Sequence, residues 1–371
     1  MISLEVNGQP YDNFKSLSFS RSLETLCGQF SFVATSEQIS QFPIKRRSSA
    51  RVLVNGFPLI TGFIDAQTPF ISSGENVVNI QGRDKTEDFL DSTLNAGSVE
   101  LSAGVTLKEV IERTVAALGQ NLTVIDAVGT LEPFNEAEDL VSAEAGQNAF
   151  KFVEMFCRKR QVLLTTDGNG NIVIARSSKE FINYRILNRK GDDEATQFNN
   201  VKTATVSYDD SKRFNKYIVV SQQNPIALNF SGDVDLGDVV SVESDVVIDK
   251  EIREGRVLHI VAEKSSAPEN AKKRAQWEAN FRKAQSRKYR STTDDFLIPG
   301  TTQPFPINRL VNVIDDDNDI SAEMLIESIG LSLIVSGGTE TSFSLVERDA
   351  YTLKLEEPIT QKTSNLLGFN L

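Results

Sequence analysis

The sequence predicts an α+β protein, predominantly β, in which a small α/β unit interrupts two β-rich regions. Three observations carry that reading. Side chains alternate over short segments before residue 95, as in half-buried strands. The period then lengthens to that of amphipathic helices between residues 106 and 160. Alternation returns after residue 200 and runs almost to the end of the chain.

The elements follow in order. Met1 to Gly8 reads as a strand entering a turn at Asn7-Gly8, with no basic segment leading an apolar stretch, so no secretory signal is expected. Val52 and Val54 alternate with Leu53 and Asn55, and Phe63-Ile64 and Val77 to Gln81 follow. The loop Ser72-Ser73-Gly74-Glu75-Asn76 joins the last two as a hairpin. Thr106 with Glu109 three residues on is a capping box, Leu107, Val110, Ile111, Val115 and Leu118 form one apolar face, and Gly119 stops the helix. A second helix covers about 147–160 with Ala149, Phe152, Val153 and Phe156 inward, and Asp167 to Asn171 turns a hairpin after it. Later strands are expected at 203–207, 217–221, 239–242, 256–262, 325–334 and 341–347, interrupted by a helix over 268–290. The boundaries expected are 1–95 for the first β-domain, 96–180 for the α/β domain, 181–352 for the second β-domain and 353–371 for a C-terminal arm.

The two β-regions share a pattern. Residues 73–86 read SGENVVNIQGRDKT and residues 337–352 read GGTETSFSLVERDAYT. Each has a glycine loop, an alternating strand, Arg-Asp and a following Thr, the trace that a duplicated β-domain would leave. Chance explains it equally well, because β-hairpins share such patterns.

Composition narrows the function. A chain of 371 residues exceeds the size at which one core stops growing, so several domains are expected. Hydrophobic residues make up 40% and charged residues 24%, an ordinary globular balance that excludes disorder as the main state. Apolar runs such as Tyr217-Ile218-Val219-Val220 are far too short to span a bilayer. The net charge of −12 argues against a general nucleic-acid coat. That charge is segregated: residues 268–290 carry eight Lys and Arg against two Glu, which leaves about −18 on the remainder. Cys27 and Cys157 are too few for a disulfide framework and read as reduced, buried small hydrophobes, Cys27 in a strand and Cys157 on a helix, as suits a protein folded in a cytoplasm.

No motif for catalysis emerges. His259 is the sole histidine and sits in the alternating run Val257 to Val261, so a Ser-His-Asp triad has a single candidate base, which a strand explains better. Asp315, Asp317 and Asp319 have the alternate spacing of a calcium loop, but its sixth position is Ile320 and its twelfth Ile326, where glycine and glutamate are needed, so a solvated turn is expected. Asp167, Asn169 and Asn171 are read as a hairpin turn for the same reason. Phosphate-loop and dinucleotide fingerprints are missing, as is zinc spacing. No catalytic, cofactor or metal residue is therefore nominated. On the 268–290 helix, Trp277, Phe281 and Ala284 share a face beside Ala271, Ala275 and Ala279. Its basic residues are either a solvated side or a positive surface for an acidic neighbour.

Several segments, taken in order, resemble one family. They are GRDKT at 82–86, AFKFVEMFCRKRQVLLTTDGNGNIVIAR at 149–176, SKRFNKY at 211–217, RAQWEANFRKA at 274–284, NRLV at 308–311 and RDAY at 348–351. In that order they are similar to the Mu-like contractile-phage baseplate hub proteins, related to the hub part of type VI secretion spikes. The resemblance implies two tube-like antiparallel β-barrel domains with the small α/β domain inserted, and a structural, non-enzymatic role. It implies a homotrimer joining the hexameric tail tube to the trimeric central spike, since three chains match six tube subunits only if each offers two tube-like domains. Baseplate wedge or sheath-initiating proteins would bind outside the ring. DNA would transit its channel without specific binding, and because a basic lumen would hold the phosphates, a lining of more acid than base is expected. The particle would assemble in the host cytoplasm and carry the protein in its tail baseplate. The rival classes are a carbohydrate-binding or adhesin β-protein, disfavoured by one Trp and six scattered Tyr, and a hub-associated peptidoglycan hydrolase, for which no domain length remains.

Overall fold

The strands β1 (Ile2–Val6), β2 (Gln9–Pro10), β3 (Phe14–Ser22), β4 (Gln29–Thr35), β5 (Ser49–Val54), β6 (Phe57–Ile71) and β7 (Asn76–Asp84) build the first β-region. The helical unit holds α1 (Glu87–Asp91), α2 (Leu107–Ala117), β8 (Val124–Asp126), α3 (Ala149–Arg160), β9 (Leu163–Thr166) and β10 (Ile172–Ala175). The remainder comprises β11 (Phe181–Asn188), β12 (Thr203–Tyr208), β13 (Lys216–Gln222), β14 (Ser241–Glu243), β15 (Val247–Ile248) and β16 (Val257–Val261). It closes with α4 (Pro268–Ser286), β17 (Arg287–Thr293), β18 (Leu310–Asp315), β19 (Ile320–Ile334) and β20 (Gly338–Glu347). The computed structural model describes residues 2–36, 38–73, 76–129, 131–135, 140–191, 198–222, 241–243, 246–261 and 268–351.

The protein is predominantly β, as expected, but the two β-regions do not close into separate barrels. They merge into one 13-stranded sheet in which β3 of the first region pairs with β19 of the second. The physical reason lies in β19. This strand is 15 residues long, and its ladder to β20 shifts register between Ile326 and Ser328. Residues before the shift pair with β18, and residues after it pair with β3. An extra residue bends a strand and re-aims it, so one strand serves two neighbourhoods. The pairing is antiparallel except for β11 on β18 in the large sheet and one parallel contact in each small sheet, β8 on β10 and β16 on β13.

One hydrophobic core backs the large sheet. Leu17, Phe19, Phe30, Phe32 and Ile80 from the first region meet Leu325, Ile326, Phe343 and Leu345 from the second. A separate core fills the helical unit, where Val110 and Ile111 of α2 pack with Phe152, Val153 and Phe156 of α3 and with Ile172 and Ile174 of β10. Thr106 caps α2 with the expected capping box. The unit is fastened to the first β-region through its hairpin turn. The Thr61 hydroxyl donates to the Gly168 carbonyl at 2.9 Å, and a Cβ on Gly168 would stand 1.8 Å from the Pro58 carbonyl oxygen. Only glycine permits that approach.

The third core is small: α4 lays Ala275 and Ala279 on Tyr217 and Val219 of β13. Trp277 stacks on Phe281 with ring centroids 5.2 Å apart, and Phe281 in turn meets Tyr351. The expected helix over 268–290 ends at Ser286, because Arg287 to Arg290 belong to β17, where Tyr289 enters the large core between β12 and β20. Cys27 also differs from expectation. It lies half-buried in the turn between β3 and β4, outside any strand, whereas Cys157 is buried on α3 as foreseen. The expected arm over 353–371, and part of the strand expected at 239–242, lie outside the described residues.

Candidate functional site

Three of the segments that carried the resemblance are joints. At the end of β7, Asp84 is buried and its carboxylate accepts from the Gly28 amide at 2.6 Å and from the Thr86 amide and hydroxyl at 2.9 and 2.5 Å. Burial nevertheless pushes its pKa upward. Arg83, beside it, bridges Asp65 at 2.9 Å, Glu87 at 3.1 Å and Asp91 at 2.8 Å. Burial, with Asp65 alongside, raises Glu87 to about 8. The same packing raises the Cys27 thiol to about 12, so the thiolate that reactive cysteines use is disfavoured here.

In SKRFNKY, Arg213 is fully buried and binds Asp249 and Glu251 at 2.7 and 2.6 Å, with Asp210 at 2.8 Å. Asn215 donates to the Asp249 and Ile252 carbonyls, both at 3.0 Å. In NRLV, Asn308 holds the chain leaving β10 by donating to the Arg176 carbonyl and accepting from the Ser178 amide. Each motif therefore ties one segment of backbone to another.

Residues 316–319 of the acidic run form the expected exposed turn, but Asp315 at its start is a buried joint. Asp315 is buried and accepts from the Tyr289 hydroxyl at 2.8 Å, the Asn188 amide at 3.0 Å and the Asn318 side chain at 2.9 Å. Desolvation works against these donors, yet together they hold its pKa below the usual value. Among the described residues no group of His, Cys, Asp or Glu is arranged to hold a metal ion. Asp167 accepts from the Asn169 and Asn171 amides and closes its hairpin, as read from sequence. His259 is exposed on β16 opposite Ile218 of β13.

The basic residues of the α4 region are not a free positive surface. Arg282 bonds Glu278 at 2.8 Å, Lys283 and Arg287 both bind Glu251, and Lys288 binds Glu327. Lys273 and Arg274 are half-buried, and Arg274 lies 3.4 Å from Glu278. Local acids take up much of the excess that the sequence count displayed.

The surface most distinct from its surroundings is the solvent side of the large sheet. Alternation sends Leu17 and Phe19 into the core and Ser16, Ser18 and Ser20 outward. Across strands, the pairing aligns Glu340, Ser332, Ser18, Ser31 and Gln81 in one row, and Ser342, Gly330, Ser20, Gln29 and Arg83 in the next. The Ser18 and Ser31 hydroxyls meet at 2.8 Å. These rows floor a shallow groove of about 590 Å³ and cross from the second β-region into the first without a break. Apart from Glu340 and Arg83 at their ends, they are neutral hydroxyl, amide and glycine. Sequence reading missed this face, because the pairing of β3 with β19 and of β4 with β3 became visible only in the fold.

Known proteins match the chain throughout. The N-terminal model of the Mu phage baseplate assembly protein GpP-like family matches residues 1–84, and the second-domain model of the baseplate hub protein gp44-like family matches residues 86–176. Baseplate hub protein gp44 of Escherichia phage Mu is 21% identical over 364 residues, covering 96% of this chain and 90% of the relative. The first 176 residues thus match two domains of Mu-like baseplate hub proteins, and the whole chain is similar to one of them.

Solved structures agree with the hub assignment. The prophage MuSo2 43 kDa tail protein from Shewanella oneidensis superposes with a TM-score of 0.75 at 28% identity, covering 94% of the hub chain and 98% of the neighbour. The tail protein from Neisseria meningitidis MC58 gives 0.76 at 16% identity over 94% and 96% of the two chains, a likeness of fold. The hub chain is a structural component of a phage tail. No helix among its described residues is long and apolar enough to cross a membrane.

Proposed function

We propose that three copies of this hub protein form a ring on the tail axis, joining the hexameric tail tube to the trimeric spike, and that DNA leaves the particle through the ring. The observation that carries this reading is the single sheet with a neutral hydroxyl face spanning both β-regions. A ring wall built from such faces offers duplex DNA no row of cations. Phosphates are held mainly by Lys and Arg with release of counterions, so a neutral wall lets the duplex slide. Asp65 and Glu340 against Arg83 leave the groove with more acid than base, which suits the acid-rich wall expected from the charge of DNA. The β-rich parts at 1–95 and 181–352 are the units of that ring. The helical unit lies outside it, available to wedge proteins, and assembly takes place in the host cytoplasm. The protein acts without catalysis, cofactor or metal.

Sedimentation equilibrium of the purified protein, alone and mixed with its spike, tests the reading. The expected particle has three times the 41.0 kDa chain mass in at least one of those states, with a central hole in negative stain. A monomer or another symmetry in both states overturns it. Ser18→Lys with Ser31→Lys should slow DNA release from assembled particles without blocking assembly. Unchanged release would remove the face from the channel.

A further inference from the structure

Four elements converge where the turn between β3 and β4 meets the bend in β19. Glu327, at that bend, is buried. Its carboxylate accepts from Lys288 Nζ at 2.9 and 3.0 Å, the Gln285 amide at 3.1 Å, the Ser344 hydroxyl at 3.0 Å and the Tyr351 hydroxyl at 2.9 Å. Glu24, from the turn, reaches the same place. Its Oε1 is 3.1 Å from the Tyr351 hydroxyl and its Oε2 is 3.5 Å from Lys288 Nζ.

Counting protons shows what the site requires. The Tyr351 hydroxyl carries one proton and faces two carboxylate oxygens. If Glu327 receives it, an ionised Glu24 would point a lone pair at the phenol oxygen, and the contact would repel. The contact is attractive only when Glu24 brings its own proton. The charges agree, for two carboxylates face one ammonium. Gln285 from α4 and Ser344 from β20 are uncharged, and Glu347 on β20 is taken up by Arg287 at 3.0 Å.

We propose that a protonated Glu24 and an ionised Glu327 meet across the Tyr351 hydroxyl in a clasp that fastens the β3–β4 turn to β19 and to Tyr351, and that loss of the Glu24 proton releases the turn. The clasp joins the first β-region to the second beside the Leu23 amide, which donates to the Glu327 carbonyl at 2.9 Å. Release is a plain deprotonation. The Glu24 O–H breaks, its proton passes to water or buffer, and two carboxylates remain against one ammonium.

The titration behaviour fits. Burial, with Glu327 alongside, raises Glu24 to about 7. Burial also pushes Glu327 upward, but the hydrogen bond from Glu24, with Lys288 and Tyr351, keeps it below the usual value. A carboxyl raised in the fold contributes stability below its ordinary pKa of 4.5 and loses it as pH rises through about 7. Glu327, being lowered, loses its contribution as pH falls from 4.5. The clasp is therefore tightest near 4.5 and loosens as pH rises through about 7.

The test is hydrogen exchange at the Leu23 amide of the full chain between about pH 6 and pH 8, corrected for intrinsic exchange, with carboxyl NMR of ¹³C-labelled glutamate. The expected result is exchange roughly tenfold faster at the higher pH, and one glutamate titrating near 7 whose signal disappears in Glu24→Gln. Glu24→Gln itself keeps a donor toward Tyr351 and should exchange slowly at both pH values. Lys288→Met, which removes the ammonium, should move the Glu24 titration upward. Glu24 titrating at its ordinary value, or a Glu24→Gln protein that still loosens at the higher pH, overturns the clasp.

Discussion

The Arg-Asp pair that ends β7 and the Arg-Asp pair that follows β20 each close a hairpin whose first strand is 15 residues long and shifts register, yet their aspartates differ. Asp84 is buried and takes the Gly28 amide and both Thr86 donors, so it organises the backbone of the turn. Asp349 is half-exposed, and Arg348 pairs outward with Glu323. The surroundings decide. β7 runs between β4 and β6 and leads straight into α1, whereas β20 runs between β17 and β19 and Arg348 beyond it turns to Glu323 of β19. A carboxylate becomes a structural part when backbone donors converge on it out of water, and sequence identity alone does not bring them there.

Steric closeness should separate the two regions most. Gly62 stands opposite Asp84, and a Cβ there would lie 1.8 Å from the Arg83 carbonyl oxygen, which is backbone and cannot turn away. Gly62→Ala should cost about 3 kcal/mol or abolish folding. Gly330→Ala meets only the movable Ser342 hydroxyl at 2.6 Å and should cost under about 1 kcal/mol. Urea unfolding of both variants measures the gap, and equal costs would remove the contrast.

The aspartates come next. Asp84→Ala leaves the Gly28 and Thr86 donors buried without their acceptor and should cost about 2–3 kcal/mol, while Asp349→Ala should change stability by about 0.5 kcal/mol or less. Chemical denaturation at neutral pH distinguishes these values. If Asp349→Ala proves the costlier, the two corners have been assigned the wrong way round.

The smallest effect belongs to His259. As an exposed residue on β16, its replacement by Gln should leave the melting temperature and particle assembly unchanged, within about 0.5 kcal/mol. A folded His259→Gln protein that fails to assemble would give this face of the small sheet a contact that neither β-region displays.

Several elements were legible because their signals are local. Thr106 and Glu109 announce the start of α2, since a capping box needs only residues three apart. The Asp167 to Asn171 turn and the apolar face of α3 were readable for the same reason. The GRDKT and SKRFNKY segments revealed the family, though their letters did not show that both are buried joints. Asp315 illustrates the limit. Five acids and amides in a row read as a solvated turn, and only the approach of Tyr289 and Asn188 from other strands makes that carboxylate a buried acceptor. The basic stretch 268–290 misled in the same way, because Glu251 and Glu327, which neutralise it, lie some distance off along the chain.

The sequence by itself determined the class of the protein, its predominance of β-structure, the helical interruption and the hub family, because periodicity, caps and ordered motifs are short-range properties of a chain. Tertiary structure alone decided that β19 would join the two β-regions in one sheet and that its serines would align with those of β3 and β4. It also decided that Glu24 would meet Glu327. Strand pairing across hundreds of residues depends on which apolar faces find a common core, and alternation along one strand does not name its neighbour.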